Sequence, residues 1–345
     1  MRSDLPKNPI LADCIVSVVM PNYNQGEFIG GAIAAVLAQD IALELIIVDD
    51  ASTDDSVARI NEAIAGRPNA MLFEPGKIGS VQASNFGLSK ARGRYVCFFA
   101  PDDLIYPDLL RRSVALLERT PLANLSFAEV KLVYESEGWA SHTPARLAEE
   151  ETYFSPAQLI RYGRRKQFLV YGASSVWRTE RLRALGGWYE GMGWATDWFQ
   201  SMGEALRNGV CYIPEALVAV RVGSSSFSSR GRRDPVQMRR IFGLVLDELT
   251  TRQHTDVARR FVDACVLLSL GPLFMKVASE RKFSLTVWSP SYFLRVSRMA
   301  LRQRFSGDVP LSVRRWIVQL RGARISSASS ALQRRKDQQS GIHHA

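Results

Sequence analysis

The chain has 345 residues, enough for one large or two modest domains with a real core. Its formal charge of +10 favours polyanionic company: nucleotides, nucleic acid or an acidic membrane surface. Four scattered cysteines with no CxxC pair, and four histidines of which His343 and His344 lie in the tail, argue against a disulfide framework, a zinc site or a histidine-built metal centre.

Met1 to Asp13 is polar, carries two prolines and has no apolar stretch, so no secretory leader is expected and the protein should stay in the cytoplasm. Ile15 to Met20 predicts a first strand, stopped by Pro21. In the loop that follows, Asn24 is placed to cap a helix whose apolar positions Phe28, Ala32, Ile33, Val36 and Leu37 recur at helical spacing. Leu43 to Val48 is a second strand, buried on both faces by its composition. Ser52 or Thr53 should cap a helix through Ile64, and Ala70 to Phe73 is a weak third strand. A turn over residues 76–80 leads to a helix from Val81 to Ala91, closed by Arg92-Gly93. Arg94 to Phe99 is the fourth strand, and Tyr106 to Arg119 another helix. Strands alternating with helices at this spacing predict a doubly wound, mainly parallel sheet whose right-handed crossovers put these loops on one rim.

Beyond Leu122 the pattern is mixed. Leu125 to Tyr134 and Leu169 to Arg178 are predicted strands, Thr179 to Leu185 a short helix closed by Gly186-Gly187, Asp197 to Asn208 a helix, and Val210 to Val222 a strand interrupted at Pro214. The basic run Arg161 to Lys166 reads as solvated loop, and Ser224 to Arg233 as a linker. Residues 235–335 are expected to be helical and 336–345 a flexible tail. Phe261 to Ala278 falls short of the roughly 20 apolar residues of a membrane span, and reads as a buried helix pair broken at Gly271-Pro272.

Two strands end in paired acids: Asp49-Asp50 after the second, Asp102-Asp103 after the fourth. The carboxyl ends of such strands are where open α/β sheets bind ligands. Acids also terminate strands and cap helices, so each pair has a purely structural reading, strongest for Asp49. Adjacent carboxylates at 102 and 103 suit Mg2+ or Mn2+, which prefer oxygen ligands shared with substrate phosphates. Pro21, Tyr23 and Asn24 on the same rim offer a flat wall and a polar edge for a nucleoside base.

Ser17 to Asn24, Ile47 to Asp54 and Ala100 to Asp103, in this order and with Gly79 to Gly87 between the last two, resemble the family 2 inverting glycosyltransferases of the GT-A fold. The resemblance covers residues 13–225 and is most specific over the first 115. It implies a Rossmann-like catalytic domain over 1–225, with a nucleotide-sugar half near 13–120 and an acceptor half near 121–225. It further implies that Pro21, Tyr23, Asn24, Asp50, Asn85 and Asp102 contact the nucleotide, and that Asp102 and Asp103 hold a divalent metal, Mn2+ or Mg2+. The chain departs from the family at Ala100, where an acid is common, and at Gly223, where a histidine is common.

Gly193 to Phe199 is similar to the family's acidic motif at the start of a helix, with Thr196 replacing the commoner glutamate and Asp197 retained as the expected general base. An aspartate there also suits a helix N-terminus, and the two roles can coexist. Trp188, Trp194 and Trp198 form an acceptor platform or part of the core. The expected partners are a UDP- or dTDP-sugar and a saccharide or lipid-linked saccharide of surface polysaccharide assembly. Trp288 to Trp316, rich in arginine, admits either ordinary packing or peripheral contact with an anionic membrane. A sugar nucleotidyltransferase would need a Gly-rich phosphate loop that Tyr23 to Glu27 does not supply, and a nucleic-acid binder would not crowd its rim with carboxylates.

Overall fold

A computed structural model describes residues 14–281 apart from 135–138, 142–145, 167, 223–230, 232–233 and 252–254, together with Leu294. One compact unit comprises Met1–Tyr292 and a second Phe293–Ala345. The expected linker, the arginine-rich stretch near 288–316 and the tail therefore fall wholly or mostly outside the described residues.

The first unit alternates β1 (Val16–Asn22), α1 (Gly26–Leu37), β2 (Leu43–Asp49), α2 (Ser56–Ile64), β3 (Ala70–Phe73), α3 (Ser80–Lys90) and β4 (Tyr95–Phe98). β5 (Leu104–Ile105) and α4 (Leu109–Arg119) follow, then β6 (Leu125–Tyr134), β7 (Trp139–Ser141), β8 (Thr152–Phe154) and α5 (Pro156–Arg165). The chain continues through β9 (Ser175–Arg178), α6 (Thr179–Ala184), α7 (Thr196–Asn208) and β10 (Val210–Arg221). After it come α8 (Pro235–Thr250), α9 (Thr255–Asp263) and α10 (Gly271–Glu280).

All described strands join one sheet in the order β3-β2-β1-β4-β9-β6-β10-β5, with β7 on β6 and β8 on β10. β1 pairs in parallel with β2 on one side and β4 on the other, so the carboxyl ends of all three meet on one rim. Every residue of β2 is buried, as its unbroken apolar run requires. β9 runs antiparallel between β4 and β6 and joins the two halves into one sheet.

The opposite ends of these strands are tied by a buried charge. Glu44, fully buried on β2, accepts hydrogen bonds from Ser17 Oγ at 2.6 Å, from the Arg92 backbone N–H at 2.6 Å and from the Arg92 guanidinium at 2.7 and 2.9 Å. Every carboxylate oxygen thus has a donor, without which a buried charge is costly. Gly93 passes so close that an added Cβ would sit 2.6 Å from the Ser17 nitrogen.

Several expected boundaries shift. β1 continues through Pro21 to Asn22. Asn24 does not cap α1: it has φ +51°, and its Oδ1 accepts from the Thr53 N–H at 2.7 Å. The first turn of α1 is served instead by Asp54, whose Oδ2 accepts from the Gly26 N–H at 2.9 Å. Ser52 and Thr53 are therefore engaged by Asp49 and Asn24, and α2 begins only at Ser56. Pro107 restrains Tyr106 from helical geometry, so α4 starts at Leu109 and Leu104–Ile105 pairs with β10. Arg161 to Arg165 lie on α5 rather than in a loop, because Ser155 and Gln158 form a capping box. β9 is short because Gly172–Ser174 makes a 3-10 turn, and β10 passes Pro214 without ending, by slipping register against β6 between Ile213 and Ala216. The expected helix pair breaks earlier than Gly271: α9 ends at Asp263, Cys265 takes φ +56°, and a 3-10 turn over Val266–Leu270 precedes α10, whose first residue Gly271 has φ +80°. No helix among the described residues is long and apolar enough to cross a membrane.

Because the Gly93 clash is with backbone, Gly93→Ala should destabilise the protein by about 1–3 kcal/mol. At about 2–4 °C per kcal/mol, melting followed by circular dichroism should fall by several degrees. An unchanged melting temperature would mean the close approach is slack.

Candidate active site

The rim where β1, β2 and β4 end opens into a cleft of about 540 Å³. Its lining includes Pro21, Tyr23, Asp50, Lys77, Asp102 and Asp103 from the first half of the segment and Gly172, Trp188, Trp194, Thr196, Asp197 and Arg221 from the second.

Asp50 is buried and fully engaged. Its Oδ1 accepts from the Ile78 and Gly79 N–H groups at 2.6 and 2.7 Å, and its Oδ2 pairs with Lys77 Nζ at 2.9 Å. Burial pushes its pKa up, but Lys77 and the two backbone N–H groups together outweigh burial and hold the carboxyl below its usual range. Lys77 Nζ also lies 2.9 Å from the centroid of the Tyr23 ring, a half-exposed aromatic face turned to the cleft. Asp49 points elsewhere. It accepts from Asn22 Nδ2 at 2.7 Å and from the Ser52 hydroxyl and N–H at 2.6 and 2.8 Å, which makes it a clamp for the loop that presents Asp50.

Asp102 and Asp103 lie just beyond β4. Burial raises the pKa of Asp102, with Arg221 opposing. Burial and the neighbouring Asp102 push Asp103 up to about 8, against a hydrogen bond from the Arg221 N–H to its Oδ1 at 3.2 Å. Two hard carboxylates held together against their own repulsion are a donor set that a divalent cation relieves. Among the described residues no third His, Cys, Asp or Glu completes a cluster with them. That matches Mg2+ or Mn2+, which take one or two carboxylates and complete their shell with substrate phosphates and water.

Asp197 sits in the first turn of α7, where a negative charge is favoured, and its Oδ1 accepts from the Trp198 N–H at 2.8 Å. The facing turn is Gly172, where a Cβ would come within 2.2 Å of Asp197 Oδ2. Bare backbone there gives the carboxylate its place in the cleft.

The structure brings Pro21, Tyr23, Asp50, Asp102, Asp103, Asp197, Trp188 and Trp194 to the cleft, and leaves Asn24, Asn85 and Trp198 outside its lining. Asn85 instead bridges to the backbone of Trp188, donating to its carbonyl at 2.9 Å and accepting from its N–H at 2.8 Å. Trp188 is itself largely core, packed edge-on against Phe98 and Trp177 at 5.0 and 5.9 Å. Trp198 packs on Phe261 of α9 at 6.0 Å. Of the expected aromatic platform, Trp194 is left as the half-buried cleft ring. Lys77 and Arg221 were missed as site residues. Lys77 follows the unremarkable turn at Gly76, and only the pairing of β10 brings Arg221 beside the acids.

Residues 17–179 match the model of glycosyl transferase family 2, and this segment is a family 2 glycosyltransferase domain. The chain is 32% identical, over 33% of its length and 44% of the relative's, to the Escherichia coli UDP-Glc:alpha-D-GlcNAc-diphosphoundecaprenol beta-1,3-glucosyltransferase WfgD. It spans about half the length of curated relatives such as these. Its fold is shared with S. aureus TarS 1–349 in complex with UDP-GlcNAc, at TM-score 0.60 and 19% identity, covering 81% of this chain and 78% of that one. The mannosyltransferase PcManGT from Pyrobaculum calidifontis, in complex with GDP-Man and Mn2+, aligns at TM-score 0.54 and 19% identity, covering 92% of this chain and 86% of that one. The architecture is therefore GT-A.

The Asp103 carboxyl has a definite consequence for stability. Its folded pKa, about 8, lies above the ordinary aspartate value of 3.8, so its stabilising effect is complete below about pH 4 and is lost as pH rises through 8. Asp103→Asn should thus raise the metal-free melting temperature at pH 8.5 while changing it little near pH 4. A gain that is the same at both pH values would contradict the burial argument.

Proposed function

We propose that the protein transfers a sugar from a nucleoside-diphosphate donor, UDP- or dTDP-linked, to a hydroxyl of a saccharide or lipid-linked saccharide, with inversion at the anomeric carbon. The observation that carries this reading is the convergence on one cleft of Asp50, Asp102 and Asp103 from the first half with Asp197 from the second. The donor belongs to the half near 13–120 and the acceptor to the half near 121–225. The relative and the fold neighbours, with their UDP- and GDP-sugars, support the donor class, and the diphosphoundecaprenol acceptor of the E. coli relative supports a lipid-linked saccharide.

In this mechanism Tyr23 and Pro21 pack on the base, and Asp50, kept ionised by Lys77, accepts a hydrogen bond from a base or ribose donor group. Asp102 reaches the ribose and, with Asp103, holds the divalent cation. That cation, when bound, supplies positive charge against the leaving diphosphate. Asp197 takes the proton of the acceptor hydroxyl as its oxygen attacks the anomeric carbon, and the glycosidic bond to the diphosphate breaks in the same displacement. One carboxylate suffices as base because no covalent intermediate is formed. Trp194 offers its face to the apolar side of the acceptor ring. A cytoplasmic site of action follows from the nucleotide donor.

Release of UDP from a panel of UDP-sugars with Mn2+ tests the reading. Asp103→Ala and Asp197→Asn should each lower turnover by at least about 100-fold, in the range lost with a general base. Asp197→Asn should leave UDP binding intact, whereas Asp103→Ala should weaken it. Full activity in the Asp197→Asn protein would remove that residue from the chemistry.

A further inference from the structure

Arg221, the last residue of β10, has no part in the mechanism above, yet three features place it beside the Asp102–Asp103 pair in the cleft. β10 pairs antiparallel with β5 in the register Val218 to Ile105 and Ala219 to Leu104. Continued by two residues, that register sets Arg221 opposite Asp102. The Arg221 N–H donates to Asp103 Oδ1 at 3.2 Å, which ties the residue's backbone directly to the acid pair. The guanidinium lies 5.0 Å from the centroid of the Phe28 ring, on α1, and Arg221 lines the same cleft as both aspartates. Its charge is felt at Asp102 and Asp103 alike, opposing the rise that burial imposes on each.

The other lysine or arginine of the cleft lining, Lys77, is engaged by Asp50 and Tyr23. Among the described residues, Asp102 and Asp103 gain no third acidic, histidine or cysteine companion that would tighten a metal site. A diphosphate brought beside two carboxylates needs compensating positive charge. A guanidinium provides it permanently, with paired N–H groups spaced to match phosphate oxygens. The Phe28 ring within cation–π range helps to position the guanidinium.

We propose that Arg221 binds the diphosphate of the donor directly, supplying fixed positive charge that lets nucleoside diphosphate bind even without a divalent metal. The inference rests on the donor reading above, and the experiment separates the two. UDP and uridine are titrated calorimetrically into the full chain, wild type and Arg221→Gln, in EDTA and again in Mn2+, with melting curves confirming the fold of each protein. Wild type should bind UDP in EDTA, and Arg221→Gln should bind it about tenfold or more weakly, the range for a hydrogen bond to a charged group. Uridine, which carries no phosphate, should bind both proteins equally. Arg221→Lys, retaining charge without the fork, should fall between them, and serves as the test if the glutamine variant does not fold.

Wild type that binds UDP only with Mn2+ would overturn the proposal. So would unchanged UDP affinity in Arg221→Gln, or a parallel loss of UDP and uridine binding. Failure of wild type to bind UDP in either buffer would instead strike the donor reading itself.

Discussion

Parallel pairing of β1 with both β2 and β4 is the constraint on which the site depends. It forces three successive carboxyl ends onto one edge of the sheet, so residues more than 50 positions apart in the chain become neighbours. Without it, Asp50 and Asp103 would be two unrelated acids at strand ends. The pairing is secured away from the cleft, by the buried Glu44 and its donors from Ser17 and Arg92 at the other end of the strands. Stability at one end of the sheet and acid chemistry at the other are separated along the same strands.

The charge arrangement of the cleft follows from that geometry. Asp50 has its positive partners built in and is held below the usual carboxylate range, whereas burial shifts Asp102 upward, and burial together with the neighbouring Asp102 shifts Asp103 upward. One acid of the cleft is thus fully partnered, whereas the other two are held against burial, which is the charge difference the proposed roles draw on. Asp197 reaches this space from the other half, admitted by the bare backbone at Gly172. The helices after the catalytic segment support that half, α8 against the turn carrying Trp194 and α9 through Phe261 on Trp198 and Phe199.

The departures at Ala100 and Gly223 bear on how the proposed diphosphate would be held. An acid absent at 100 removes one oxygen donor, and the residue at 223 has no side chain to offer. Arg221, two positions earlier and bonded through its N–H to Asp103, is a cation that the strand itself carries into the cleft. Loops elsewhere on the rim contribute shape more than charge, with Asp49, Asn22 and Ser52 bonded to one another beneath the surface that Tyr23 and Asp50 present.

The sequence by itself determined the alternation of strand and helix, the burial of β2 and the acids at the strand ends, because local composition and hydrophobic period carry those properties. It also placed Asp197 at the start of a helix, and residues 17–24, 47–54 and 100–103 carried the family resemblance. What only the tertiary structure decided was which side chains spend their polar groups inside the protein. Asn24 bonds to Thr53 instead of capping a helix, Asn85 props Trp188, and Trp198 turns to Phe261, all through partners 29 to 103 residues away in the chain or on another helix. Lys77 and Arg221 entered the site for the converse reason: their neighbours in the chain give no signal, and their neighbours in space are set by loop closure over Asp50 and by the register of β10.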